Sequence, residues 1–173
     1  MELEKIQAKI AHTFGNLESV LDVGCGNCEL VRFLATNIAK QAVGIDINSI
    51  GVHEKTKSHI DGTNHSADCV KGDAHYMDSF SDDQFDAVVI VHALHELSNP
   101  ETALSEIRRV LKPRGTLFIA DFAEGETRWN ERYYTPKQVE TMLVEHKFID
   151  IEVQKVPDIP FLFAIGKKQN YRN

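Results

Sequence analysis

A chain of 173 residues, 42% hydrophobic and 26% charged, has the length and composition of one soluble globular domain that buries its core without disulfides or a structural metal. Its 19 basic and 26 acidic residues leave a net charge of −7, which disfavours nucleic acid and anionic membranes, since neither polyanion attracts an acidic surface. No apolar run approaches the roughly 20 residues that cross a bilayer, so no membrane insertion is expected.

At the start of the chain Leu3, Ile6, Ile10 and Phe14 recur among charges, the spacing of an amphipathic helix and not of a signal peptide's continuous apolar core. Val20–Val23 reads as a first strand leading into a helix over Glu29–Ile38. Ala42–Ile45 is a second strand, followed by a weaker helical pattern near Ser49–Ile60, and Asp68–Lys71 is a short third strand. Phe85–Val91 is a fourth, its Val88-Val89-Ile90-Val91 run being β-branched and suited to burial on both faces. A helix over Pro100–Leu111 has proline in its first turn, and Pro113-Arg114-Gly115 turns the chain into a fifth strand, Thr116–Ala120. A last helix, Thr135–Lys147, begins with Pro136 just inside a threonine cap. The strands Phe148–Val156 and Phe161–Ile165 are joined by Pro157–Pro160, too short a connection for a parallel return, so they must run antiparallel. This alternation predicts an α/β fold with a doubly wound, mostly parallel seven-stranded sheet and helices on both faces.

The sharpest signal is Leu21-Asp22-Val23-Gly24-Cys25-Gly26-Asn27-Cys28, placed between the first strand and the first sheet-packing helix. A doubly wound sheet opens its ligand crevice at such a place. Gly24 and Gly26 permit a tight turn and close approach of a ligand to the backbone, and the helix end behind them favours anionic groups. Asp46 ends the second strand 20 residues after Gly26, the spacing of an acid that binds a ribose diol and repels a 2′-phosphate.

With these residues in view, the chain resembles the class I S-adenosylmethionine-dependent methyltransferases, in particular their small ubiquinone/menaquinone-biosynthesis-like branch. Leu21–Cys28 is similar to the family's first motif and Gly44-Ile45-Asp46 to its ribose-binding acid. Lys71-Gly72-Asp73-Ala74 resembles its adenine-contact segment, Phe85-Asp86 its fourth-motif strand entry, and Leu111–Leu117 its "LKPGG" turn. The resemblance runs from Leu17 to Lys168 and implies S-adenosyl-L-methionine as cofactor, with strand order 3-2-1-4-5-7-6 and the last strand antiparallel. It further implies that Gly24 and Gly26 face the methionyl part and that Asp22 supports its ammonium group. Asp46 would take the ribose hydroxyls, Ile47 would pack on adenine, and Asp73 and the Ala74 N–H would read its edge. His92 would lie where cofactor and substrate meet. Residues 1–173 then form one domain, with residues 1–16 a helix near the cofactor and substrate side. Cys28 stands where many relatives carry a third glycine: a thiol there either narrows the approach to the cofactor or packs as a small apolar group.

Methyl transfer is an in-line displacement, so the protein aligns the partners and, for carbon or oxygen acceptors, removes a proton. His92 and His95, just past the fourth strand, are candidate bases, with packing in a turn as the alternative for each. Arg128, Trp129, Tyr133 and Tyr134 follow the fifth strand, where loops carry substrate contacts; the alternative is an aromatic lid packed on its own domain. The short N-terminal segment favours a small molecule or an exposed protein side chain as acceptor over a large structured RNA, with a small molecule preferred. Cys25, Cys28 and Cys69 are an odd number with no sign of a disulfide framework, and a cytoplasmic protein is expected. Cys25-x-x-Cys28 has no second pair at zinc spacing, so no metal is expected. A non-catalytic nucleoside-binding or partner-regulating protein with the same fold and an NAD-dependent oxidoreductase remain as alternatives.

Overall fold

The computed structural model describes residues 2–48, 56–60, 63–125, 131–157 and 159–170. Strands β1 (Leu17–Val23), β2 (Ala39–Asp46), β3 (Thr56–Ile60), β4 (Thr63–Lys71), β5 (Phe85–Val91), β6 (Leu111–Phe122), β7 (Phe148–Lys155) and β8 (Phe161–Lys168) form one sheet in the order β3-β4-β2-β1-β5-β6-β8-β7. From β4 to β6 neighbouring strands are parallel, and β8 runs antiparallel to both β6 and β7. The seven expected strands thus lie in the expected order. One local expectation fails: of the helix expected near Ser49–Ile60, residues 56–60 are an edge strand paired antiparallel to β4, and residues 49–55 lie outside the described residues.

Helices α1 (Glu2–Thr13), α2 (Glu29–Asn37), α3 (Pro100–Val110) and α4 (Pro136–Glu145) cover both faces. Period-2 alternation along each central strand sorts its side chains between two apolar clusters. Leu21, Val88, Ile90 and Leu117 meet Leu104 and Ile107 of α3 and Val139 and Leu143 of α4 on one face. Val20, Val89 and Phe118 meet Ile6 and Ile10 of α1 and Val31 and Leu34 of α2 on the other. Each such side chain, fully buried, contributes about 1.5–3 kcal/mol. The helices start where their sequences allow. The Asn99 side chain accepts from the Thr102 N–H at the head of α3, and Thr135 and Gln138 form a reciprocal capping box at the head of α4. Lys112–Gly115 form a bulge inside β6, whose pairing with β5 jumps from Phe85–Leu111 to Ala87–Thr116; Arg114 takes φ +66° there.

The polar groups divide by sheet end. At the amino ends of β1 and β5, Asp86 accepts from the Ser19 N–H and Oγ and from Lys112 Nζ at 2.8–3.1 Å, a closed structural network. The carboxyl ends of β1, β2, β4 and β5 open into a cleft. Among the described residues, no helix is long and apolar enough to cross a membrane.

Candidate functional site

The cleft, of about 230 Å³, is walled by Gly24, Asp46, Ile47 and Asn48 on one side and by Asp73, Ala74 and His75 on the other, with Ala93 and Glu96–Ser98 closing it. Gly24 takes φ +78° and its N–H donates to the Ile45 carbonyl at 2.8 Å. A Cβ on it would sit 2.4 Å from the Ala93 Cβ, so both conformation and space require glycine here. Gly24→Ala is therefore expected to cost about 2–4 kcal/mol of stability and to narrow the cleft, measurable as a lower denaturant midpoint and weaker ligand binding.

Asp46 holds the turn in place. Its Oδ2 accepts from the Gly26 N–H at 2.9 Å and its Oδ1 from the Asn48 N–H at 2.8 Å, and the residue lines the cleft. Ile47 beside it is 64% exposed, an apolar side chain laid open at the rim. Across the cleft, Asp73 Oδ1 accepts from the backbone N–H and the Nδ1 of His75. These bonds, the backbone one foremost, hold the Asp73 carboxyl below the usual carboxylate range. His75 Nε2 in turn accepts from the Asn99 N–H at 3.1 Å, so the proton sits on Nδ1 and one imidazole ties the cleft wall to the head of α3. His75 had no signal of its own in the sequence, because its partner is 24 residues away.

Asp22, in the central strand β1, is 2% exposed. Among the described residues nothing hydrogen-bonds its carboxyl. Burial, helped by the nearby Asp46 charge, pushes that carboxyl up to about 7.

The two histidines part company. His92 takes φ +55°, its N–H bonded to the Ala120 carbonyl, and its ring packs against Phe161 and Phe122 at 4.8 and 5.1 Å. It is Ala93, not His92, that lines the cleft; the left-handed backbone turns the ring to the aromatic side. His95 lies in a single 3₁₀ turn, Leu94–Glu96. Its Nδ1 bonds Asp121 Oδ1 at 2.8 Å and its N–H bonds Oδ2 at 3.0 Å. Asp121, 1% exposed, also accepts from the Phe122 N–H. An ionised carboxylate only accepts, so His95 carries its proton on Nδ1 and presents Nε2 as a lone pair. That nitrogen lies 3.7 Å from Glu131 and 3.9 Å from Glu96, with the Tyr133 ring 4.8 Å from the imidazole. Tyr133 and Tyr134 are both buried, and Arg132 lies over the Tyr134 ring. Arg128 and Trp129 lie outside the described residues.

A carboxyl-end cleft with a glycine turn braced by an acid on the second strand defines a nucleoside-binding α/β protein of the doubly wound class. The chain belongs to the methyltransferase domain family, whose model matches residues 21–119. It is 31% identical over 123 residues to the mitochondrial arginine-hydroxylase NDUFAF5 of Danio rerio, covering 71% of this chain and 35% of that one. It is 35% identical over 120 residues to the sterol 24-C-methyltransferase erg6 of Aspergillus fumigatus, covering 65% and 30%. To the ubiquinone/menaquinone biosynthesis C-methyltransferase UbiE of Blochmanniella pennsylvanica it is 34% identical over 106 residues, covering 60% and 41%. The chain thus spans about a third of the length of the curated relatives it matches. A solved SAM-dependent methyltransferase from Methanosarcina mazei superposes with TM-score 0.75 at 20% identity, covering 94% of this chain and 98% of that one, a likeness of fold. Family and fold imply S-adenosylmethionine as methyl donor.

Proposed function

We propose that this chain is a cytoplasmic, single-domain S-adenosylmethionine-dependent methyltransferase acting on a small molecule. The observation that carries the reading is Asp46: an acid at the end of β2, fixed by the Gly26 N–H and facing a cleft whose far wall is Asp73. The other residues fit the same ligand. Asp22 offers a buried, unpaired carboxyl to the methionyl ammonium. The bare backbone at Gly24 and Gly26 allows close approach, and Asp46 takes the ribose hydroxyls. Ile47 covers the base, while Asp73 and the Ala74 N–H read its edge. When bound, S-adenosylmethionine supplies an activated methyl group for in-line displacement.

His95 is the base in this reading. Asp121 fixes its tautomer, Nε2 is left to receive the acceptor's proton, and Glu131 and Glu96 stand near enough to steady the imidazolium that forms. His92, with Phe122 and Phe161, forms an aromatic wall on the same side. Ring-lined surroundings suit an acceptor with an apolar body, in keeping with the sterol and quinone-biosynthesis C-methyltransferases among the relatives; a base serves an acceptor that gives up a C–H or O–H proton. Tyr133 belongs to that wall and Tyr134 extends the acceptor side; Arg128 and Trp129 stay candidate acceptor contacts from their place in the sequence after the fifth strand.

Titration calorimetry with S-adenosylmethionine, S-adenosylhomocysteine and NAD tests the cofactor. Micromolar binding of the first two and none of NAD is expected. Asp46→Ala removes two charge-assisted bonds to the ribose and the brace on the Gly26 N–H, so affinity should fall at least about a hundredfold. No binding of either sulfur compound at millimolar concentration would sink the reading.

A further inference from the structure

The three cysteines come from three elements and meet at one point. Cys25 lies in the glycine turn, Cys28 caps α2 and Cys69 lies in β4; their sulfurs are all within 4.8 Å of one another and all three side chains are buried. The sheet builds this convergence. Cys69 pairs with Gly44 of β2, and Cys25 packs on the same glycine, where an added Cβ would sit 2.6 Å from its Sγ. Cys28 and Cys69, their Cα atoms 6.4 Å apart, are joined as a disulfide, and Cys25 is left a thiol. This corrects the expectation from the odd cysteine count, since the partners are 41 residues apart and only the fold brings them together.

The surroundings favour a disulfide over a metal. Burial and the nearby Asp22 and Asp46 carboxylates push the Cys25 thiol up to about 12. Three thiolates around a divalent ion would still carry a net charge of −1 in an apolar cluster beside two acids, whereas a disulfide beside a protonated thiol is neutral. A protonated Cys25 is also a poor nucleophile and leaves the Cys28–Cys69 bond unscrambled.

The bond lies where it can act on the cleft. Cys28 ends the glycine turn at φ +63°, its N–H donating to the Cys25 carbonyl at 2.8 Å and its carbonyl accepting from the Arg32 N–H at 3.2 Å. Cys69 is two residues before the end of β4, which leads into Gly72 and Asp73 on the opposite wall. We propose that the Cys28–Cys69 disulfide is a reversible redox latch that ties the glycine turn to the strand carrying the other cleft wall. Closed, it holds the turn in the shape that receives the cofactor; opened, it frees the turn and affinity falls. In opening, a dithiol reductant gives two electrons and two protons, the S–S bond becomes two thiols, and the reductant becomes its own disulfide. Exchange with a disulfide oxidant closes it again. In a reducing compartment such bonds are transient and regulatory. The effect on affinity rests on the S-adenosylmethionine reading of the cleft; the effect on the turn does not.

The 173-residue chain, prepared with a disulfide oxidant or with excess dithiol, tests this. Alkylation after denaturation should label one cysteine in the first preparation and three in the second. Amide exchange at residues 24–30 should quicken at least tenfold on reduction, and S-adenosylhomocysteine should bind at least tenfold more weakly. Cys69→Ser should behave as the reduced chain in both preparations. So should Cys28→Gly, which places glycine at a left-handed position and so preserves folding. Three labelled cysteines in both preparations would overturn the bond, and unchanged exchange at residues 24–30 would overturn the latch. If neither preparation binds S-adenosylhomocysteine, the cofactor reading falls, and amide exchange still decides the latch.

Discussion

Asp22→Asn is expected to raise the melting temperature of the free protein at pH 8 by about 2–12 °C while weakening S-adenosylmethionine binding about 10–100-fold. Both effects come from one carboxyl. In the folded chain it titrates at about 7, against 3.8 when unperturbed. Between those two values the folded state holds a proton that the unfolded state has released, so stability falls as pH rises from about 4 to about 7. Three units at about 1.36 kcal/mol each make the loss roughly 4 kcal/mol, complete above pH 7. Asparagine stays neutral and escapes that loss, but leaves a buried amide poorly paired at about 1–3 kcal/mol, so the net gain at pH 8 is about 1–3 kcal/mol. For a chain of this length each kcal/mol is worth about 2–4 °C. Below pH 4 the advantage should vanish.

The binding side has the opposite sign. An ammonium group needs the ionised carboxyl, so wild-type affinity should fall up to tenfold for each pH unit below 7, with a proton released on binding. Asp22→Asn should show neither dependence. Thermal melts at pH 4 and 8, with calorimetry in buffers of different ionisation enthalpy, read all of this. A variant no more stable at pH 8 and unchanged in affinity would show that Asp22 neither strains the free protein nor meets the ligand. A variant more stable at pH 8 and weaker in binding would instead mark the buried acid as stability given up at a site for function.

Some of this was open to a reader of the sequence because its cause is local. Asp22, Gly24, Gly26 and Asp46 fall within one strand–turn–helix–strand unit, whose spacing places them on the same cleft edge. Two other features needed the register of distant strands. Asp121 meets His95 because β5 and β6 run parallel with Val91 beside Ala120, which brings the next residues of both to one level. An acid closing the fifth strand opposite histidines closing the fourth was the signal for it. His75 became visible only when the head of α3 came into hydrogen-bonding range. The edge strand β3 departs from the expected helix because the alternation of strand and helix does not extend to this edge of the sheet. The Asp61-Gly62 dipeptide between it and β4 is a strong hairpin signal and argued for a second strand.

Asp121→Asn is expected to lower the rate of methyl transfer about 10²–10⁴-fold and leave S-adenosylhomocysteine affinity within about twofold. A 10⁴-fold loss corresponds to about 5.5 kcal/mol of barrier, and Asp121 acts through His95 without touching the reacting atoms. Its two oxygens accept from three donors: His95 Nδ1, the His95 N–H and the Phe122 N–H. An asparagine must turn its amide nitrogen toward at least one of them. If the nitrogen faces the ring, Nδ1 has to become the acceptor, the proton moves to Nε2, and the atom proposed to take the acceptor's proton can no longer do so. Nitrogen-15 spectra of the histidine rings read that exchange of tautomer directly, with no acceptor needed. Lost activity with the tautomer unchanged would point to collapse of the 3₁₀ turn, which the His95 N–H bond to Asp121 also supports. His95→Gln separates the two explanations, because it keeps that backbone bond and removes only the ring. A comparable loss in His95→Gln and Asp121→Asn, together with loss of the histidine's rate dependence on pH, makes His95 the base and Asp121 the residue that positions it. Full activity in His95→Gln would leave the acceptor's proton to solvent and reduce the pair to a brace for the turn.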